Sequence, residues 1–269
     1  MSDTPDNRNP RRLRLWQQNL NRSLEGQLDL LQSLKDKYYD IVALQEPHID
    51  FLGRTRANAH WSVIYPKRHL ANPSKTRAII LINHNISTNN WDEIPLTSMD
   101  VTGVRLHGGF GAICLLNIYN DCENNGSIEV VRNFMRERDA RARREGERER
   151  FVWLGDFNRH HPLWDEERNA HLFTRRALEA AQPLLDLIDR YDMHMVLPKD
   201  IPTLEACATK NFTRVDNIFC STELVDTFIS CDTLMSSEPS WPRKASFSCF
   251  SAFDFILSIR WSGILFSFI

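Results

Sequence analysis

The chain has 269 residues, 42% of them hydrophobic and 25% charged, which is ordinary for a folded protein with a real core. That balance excludes a wholly disordered or collagen-like chain, and six cysteines without a CxxC pair exclude a disulfide-dense scaffold. With a net charge of −2, no global positive field advertises a polyanionic partner, so any basic footprint must be local.

Residues 1–12, rich in Asp, Asn, Pro and Arg, read as a disordered lead-in with no apolar stretch for a signal peptide. A reducing compartment, nuclear or cytoplasmic, with free thiols is expected. Residues 13–20 read as a strand. Leu24, Leu28, Leu31 and Leu34 then fall on one helix face, and residues 41–44 form a second, buried strand. Strand, helix and strand in about thirty residues make one βαβ crossover. Residues 61–65, 78–82 and 101–106 read as shorter strands. A second crossover follows, with strands at 112–119 and 151–154 around a helix marked by Ile128, Val131, Phe134 and Met135. A further helix carries Leu178, Ala181, Leu185 and Ile188, and Pro183 inside it predicts a kink or a fresh start. Residues 136–150 hold seven Arg against five acidic residues, read as a solvated helix end in preference to a nucleic-acid-facing arm.

Apolar strand runs end, one after another, in polar clusters. Gln18-Asn19-Leu20-Asn21, Gln45-Glu46-Pro47, Asn117-Ile118-Tyr119-Asn120 and Gly155-Asp156-Phe157-Asn158 each follow such a run, and Asp216 sits inside Val215-Asp216-Asn217-Ile218. In α/β proteins ligands gather beyond the carboxyl ends of strands. Glu46, Asp156, Asn19, Asn21 and Asn158 together would make an oxygen-rich pocket with few carboxylates, which suits Mg²⁺. Zinc is disfavoured, since no HExxH or paired Cys/His spacing occurs, and no P-loop or dinucleotide fingerprint is found. Alone, each piece is weak: a Glu after an apolar run is commonly a strand-end residue, and an Asn there a turn former. Their joint order carries the reading.

That order, with Leu44-Gln45-Glu46-Pro47, Trp153-Leu154-Gly155-Asp156-Phe157-Asn158 and Arg214-Val215-Asp216-Asn217-Ile218, resembles the endonuclease/exonuclease/phosphatase superfamily. Gly155-Asp156-Phe157-Asn158 followed by His160-His161 and Trp164 is more narrowly similar to the endonuclease domain of LINE-type (non-LTR) retrotransposons. The resemblance covers residues 13–235 and implies an α/β sandwich of two sheets with helices outside, the DNase I-like fold. It implies Glu46 as metal ligand with Asn19 and Asn21 supporting the metal, Tyr119 on the scissile phosphate, and Asp156 orienting or deprotonating the attacking water. Asn158 would hold phosphate or water, and Asp216 would buttress a histidine near the C-terminus. His160 and His161 would shape the DNA-side surface; the plainer alternative is a loop with Trp164 plugged into the core. The cofactor implied is Mg²⁺, with Mn²⁺ as a substitute.

The pattern breaks after Asp216. The last histidine is His194, and residues 246–269 contain six of the fifteen Phe and six Ser with no sustained period. Residues 236–269 therefore read as an atypical tail, a truncation or read-through, with the C-terminal strand lost or replaced. A membrane span there is disfavoured, since Asp254 and Arg260 would each cost about 2.5–3.5 kcal/mol at mid-membrane. The expected function is a Mg²⁺-dependent phosphodiester hydrolase, a DNA endonuclease of retrotransposon type impaired by loss of its histidine. Alternatives are a catalytically dead remnant and a superfamily phosphatase acting on a small phosphate ester. DNA is the expected partner, held mainly through its backbone. The reverse transcriptase domain of complete relatives is not found in this sequence, and a monomer without membrane attachment is expected.

Overall fold

Ser23 leaves the first strand in an extended conformation and caps a helix, its hydroxyl accepting the Gly26 N–H at 3.0 Å. The computed structural model describes residues 12–34, 39–109, 111–205, 210–233 and 252–258. The first crossover is β1 (Arg12–Asn19), α1 (Leu24–Ser33) and β2 (Ile41–Gln45), with the two strands parallel. After β3 (Trp61–Ile64), β4 (Ala78–Asn83), β5 (Trp91–Ile94) and β6 (Val101–Gly108) comes the second crossover. It consists of β7 (Gly111–Tyr119), α2 (Gly126–Glu145) and β8 (Arg150–Asp156), again parallel. The chain continues through α3 (Arg175–Arg190), β9 (Met193–Met195), the short pair β10 (Leu204–Glu205) and β11 (Phe212–Thr213), β12 (Asp216–Ser221), β13 (Phe228–Thr233) and β14 (Ala252–Ser258).

The strands form two six-stranded sheets, β13-β14-β1-β2-β4-β3 and β5-β6-β7-β8-β12-β9. Their facing sides share one core, with Leu13, Leu15, Ile41, Ala43 and Ile80 meeting Val104, Leu115, Val152, Leu154 and Ile218. The outer face of the first sheet is covered by α1 through Leu30, Leu31 and Leu34. The outer face of the second is covered by α2 and α3 through Val131, Phe134, Leu184 and Leu187. The expected two-sheet α/β sandwich is the fold, because both crossover strands pair apolar on both faces and need cover on both.

Three local expectations change. Leu28 is exposed, and Gln27 takes the buried position one helical step away. Its amide donates to Thr55 Oγ1 at 2.7 Å and accepts the His48 N–H at 2.9 Å, so it satisfies loop groups that a leucine would leave unpaired. Pro183 does not break α3; the disturbed turn before it is taken up by side chains, since the Ala180 carbonyl accepts from Asn125 Nδ2 and Arg159 Nε, both at 3.0 Å. The C-terminal strand is replaced, not lost. β14 lies between β1 and β13, antiparallel to both, and its register from Arg12↔Ser258 to Gln18↔Ala252 covers all but the last residue of β1. An open β1 edge beside the core would leave a row of unpaired backbone groups, which any extended segment of sufficient length can satisfy. The rest of the 236–269 tail, like the 1–11 lead-in, lies outside the described residues. No helix of the described residues is long and apolar enough to cross a membrane.

In the second crossover Gly155 lies opposite Ile118. A methyl group there would sit 2.0 Å from the Ile118 carbonyl oxygen, and φ is +137°. Only glycine fits. We expect Gly155→Ala to destabilise the fold by about 2–4 kcal/mol, read as a lower urea midpoint at unchanged slope.

Candidate active site at the strand ends

The pleat of five strands brings one end of the sandwich together. Counting every second residue along the inward face, β1 runs Leu13, Leu15, Gln17, Asn19; β2 runs Ile41, Ala43, Gln45; β7 runs Ile113, Leu115, Asn117, Tyr119. β8 runs Val152, Leu154, Asp156, and antiparallel β12 runs Cys220, Ile218, Asp216 back to the same end. Each inward row is apolar in the middle and polar at this end, so the core passes directly into the site.

The polar rows bond across the gap. Gln17 Nε2 donates to Gln45 Oε1 and, at 3.2 Å, to Asp216 Oδ1. Gln45 donates to Asn117, whose own amide reaches the carbonyls of Leu44 at 3.0 Å and Ile79 at 2.8 Å. Asn19 Nδ2 donates to Asp156 Oδ2 at 2.9 Å, joining β1 of one sheet to β8 of the other. Gln17, Gln45, Asn117 and Asp216 are wholly buried. In the sequence Gln45 and Asn117 stand inside motifs and Gln17 inside a strand, all without an assigned role; the signal for them is an amide on the inward parity of an apolar strand.

Glu46 follows β2 with φ +45°, a left-handed conformation uncommon for glutamate. Both its backbone groups are fixed: its N–H donates to the Arg77 carbonyl at 2.8 Å, and its carbonyl accepts the Arg22 N–H at 2.7 Å. The carboxylate is half-buried and makes no hydrogen bond or ion pair among the described residues. Arg77, which sequence reading missed, places its guanidinium 4.7 Å from the Tyr119 ring centre. Asp100 holds that guanidinium through two bonds of 2.8 Å and Asp121 through one of 2.5 Å. Burial raises the Tyr119 phenol well above its ordinary range, and the charges of Glu46 and Asp156 raise it further. Tyr119 is therefore a protonated donor beside two acids.

Asp156 and Asp216 are directly opposed across β8 and β12. Burial first, then the Asp216 charge, lift the Asp156 carboxyl well above the usual carboxylate range, against the Asn19 and Asn158 hydrogen bonds that favour ionisation. Asn158 has φ +50° and donates its N–H to Asp156 Oδ1 at 2.9 Å and its amide to the Asn120 carbonyl at 2.8 Å. Behind it, buried Arg159 ties the 120s loop to α3 by donating to the carbonyls of Asp121, Asn124 and Ala180.

Among the residues singled out in the sequence, Asn19, Glu46, Tyr119, Asp156, Asn158 and Asp216 collect at this end. Asn21 is exposed in the turn after β1, with its N–H on Asn19 Oδ1 at 2.8 Å. Trp164 is plugged into the core, its indole donating to the Arg159 carbonyl at 3.0 Å. His160 is tethered through Nδ1 to buried Asp165 at 2.9 Å, and His161 stacks obliquely on Trp164. The arginine-rich stretch lies at the opposite end of β8, where Arg141 pairs with Glu145 and Arg105 and Arg138 with Glu149.

The donor set fits a hard divalent cation of the Mg²⁺ kind. Among the described residues no three His, Cys, Asp or Glu side chains form a cage, as a closed zinc site would need. One unengaged carboxylate, Glu46, stands near the Asn19 amide and the buried Asp156, and a cation that keeps most of its water needs little more.

The raised Asp156 carboxyl has a consequence for stability. Between the ordinary carboxylate range and its raised value, the folded state binds more protons than the unfolded state, so stability falls as pH rises through that window. In chelator, Asp216→Asn removes the neighbouring charge and should flatten that fall, as read by urea midpoints across pH.

A family model described as Endonuclease/Exonuclease/phosphatase family matches residues 16–234. The fold is similar to the endonuclease domain of TRAS1, a telomere-specific non-LTR retrotransposon, with 18% identity, TM-score 0.66, and coverage of 90% of this chain and 98% of that one. It is similar to the AP endonuclease LMAP from Leishmania major, with 12% identity, TM-score 0.67, and coverage of 92% and 88%. It is also similar to the 3′ phosphatase NExo from Neisseria, bound to a product DNA hairpin, with 15% identity, TM-score 0.58, and coverage of 90% and 99%. No curated protein matches the chain in sequence. With the match spanning most of its length and the strand-end site in place, the chain belongs to the endonuclease/exonuclease/phosphatase family of hydrolytic nucleases and phosphatases.

Proposed function

We propose that the protein is a Mg²⁺-dependent phosphodiesterase that nicks DNA, an endonuclease of retrotransposon type. The observation that carries this reading is the convergence of Glu46, Tyr119, Asp156 and Asn158 at one end of the sandwich, with Asp216 behind Asp156. The solved structures it resembles include nucleases and a phosphatase bound to DNA, which supports a nucleic-acid substrate.

Hydrolysis of a phosphodiester needs a nucleophile in line and relief of charge on the phosphoryl oxygens. Glu46, with Asn19 alongside, would hold a divalent metal ion, which when bound would supply Lewis-acid relief of that charge. Asp156, held by the Asn19 amide and the Asn158 N–H, takes the proton of the attacking water; its raised affinity for protons makes it a better base than an exposed aspartate. Tyr119, kept protonated and pinned under Arg77, donates to the phosphate. Asn158, two residues past β8 with its amide on the Asn120 carbonyl, holds the phosphate or the water. Asp216 keeps Asp156 basic by its charge.

No histidine follows Asp216 in the sequence. Lack of one positioned donor or acid–base group costs on the order of 10²–10⁴ in rate, so slow nicking is expected. In a supercoiled-plasmid assay, slow Mg²⁺-dependent conversion to the open circle should vanish in EDTA and with Asp156→Ala. Conversion that survives Asp156→Ala would refute the assignment. Separately, Glu46→Gln is isosteric and removes the unengaged carboxylate at the strand ends. Calorimetric titration with Mg²⁺ should lose its heat in this variant while the urea midpoint stays put. Unchanged binding would leave Glu46 a strand-end residue only.

A further inference from the structure

Between β2 and β4 the chain departs from its overall charge. Residues 47–77 hold Arg54, Arg56, Lys67, Arg68, Lys75 and Arg77 against one carboxylate, Asp50, in a protein of net charge −2. The same segment carries the three most exposed large apolar side chains among the described residues: Phe51 at 94%, Leu70 at 89% and Leu52 at 64%. Single exposed apolar residues are normal, but three in one short segment mark a contact surface.

The tips are held firmly. Asp50 Oδ1 accepts the N–H groups of Leu52 and Arg54, both at 2.9 Å, around Gly53 in the left-handed region. Buried His69, next to Leu70, bonds the Gly53 carbonyl at 2.9 Å and Thr76 Oγ1 at 2.7 Å, and stacks on Tyr65 at 4.0 Å. Tyr65 accepts the Thr55 N–H at 2.9 Å, and Gln27 anchors the loop to α1. A buried histidine and a buried glutamine thus keep a phenylalanine in water.

This surface adjoins the strand-end site. Arg22, Arg68, Lys75, Arg77, Thr97 and Ser98 line a cavity of about 490 Å³. Its two acids, Asp100 and Asp121, are both engaged by Arg77, the residue that stacks on Tyr119 and holds the Glu46 N–H. The side chains of Arg22, Arg68 and Lys75 form no ion pair among the described residues, so their charge faces outward.

We propose that this face grips duplex DNA beside the scissile position. Arg68 and Lys75 in the cavity take backbone phosphates, and Phe51, backed by Leu52, presses as an apolar wedge against a base step. The proposal rests on the nuclease reading and adds to it a surface and a mode of contact. An anionic membrane would also suit basic and apolar groups, but Arg77, which lines the cavity, stacks on Tyr119 and accepts the Glu46 N–H, favours the polymer whose phosphate those residues would meet.

The test is equilibrium binding of the full chain to a short duplex in EDTA, so that no cleavage intervenes, across a salt series. The Phe51→Ala variant should bind about ten-fold more weakly with an unchanged salt slope, as loss of an apolar contact requires. The Arg68→Ala/Lys75→Ala variant should lower the slope by about two, one for each phosphate released. With 2-aminopurine placed along the duplex, the unmutated chain should brighten one step and Phe51→Ala should not. All these side chains are exposed, so urea midpoints should not move. Duplex binding with affinity, slope and 2-aminopurine signal all unchanged in the variants would overturn this proposal and leave the nuclease reading standing. No duplex binding by the unmutated chain would overturn both, and binding to phosphatidylserine vesicles but not to DNA would reassign the face to a membrane surface.

Discussion

Two sheets in this protein are joined at one end by a strip of buried amides and carboxylates, and the site depends on that strip being complete. An amide buried without a partner costs about 1–3 kcal/mol, so Gln17, Gln45 and Asn117 each fix the position of the next. The strip also fixes register. Slipping β1 by one residue would turn Gln17 and Asn19 outward and bring Trp16 and Gln18 into the interior.

The same strip creates the chemistry it holds in place. Asp156 is the inward residue at the end of β8, and β12 delivers Asp216 opposite it, so two carboxyl groups face one another away from water. Such a pair resists full ionisation, which makes Asp156 a stronger base than its type alone would. Local backbone strain is concentrated at the same place. Glu46 and Asn158 both adopt left-handed conformations, one residue past β2 and two past β8, where the chain must turn. Gly155 permits the last inward residue of β8 to be reached at all, because the β7 backbone leaves no room for a side chain beside it.

Charge is distributed in opposite ways at the two ends of the sandwich. In the arginine-rich end of α2, at the far end of β8, Arg141 pairs with Glu145 and Arg138 with Glu149, and arginines alternate with acidic residues. The cations of residues 47–77 have one aspartate among them, and the cavity beside Tyr119 keeps Arg68 and Lys75 unanswered. A net charge near zero therefore conceals a basic face at the site end and a mixed-sign one at the other.

The two crossovers were legible in the sequence because period two and period 3.6 are properties of local backbone geometry, whereas Glu46, Asp156, Asn158 and Asp216 were legible through the order of the strand-end clusters and the family resemblance that order carries. The convergence was legible only as apolar runs that end in polar clusters, since ligands in α/β proteins gather beyond the carboxyl ends of strands. Tertiary structure alone decided the rest. Arg77 is distant from Tyr119 in sequence and meets it only because β4 and β7 lie on facing sheets. Gln27 displaced Leu28 from the helix face because a distant loop needed its amide. Residues 252–258 became a strand because β1 and β13 offered unpaired backbone on either side. In each case the partner is far along the chain, and no local periodicity encodes a contact whose other half is supplied by the fold.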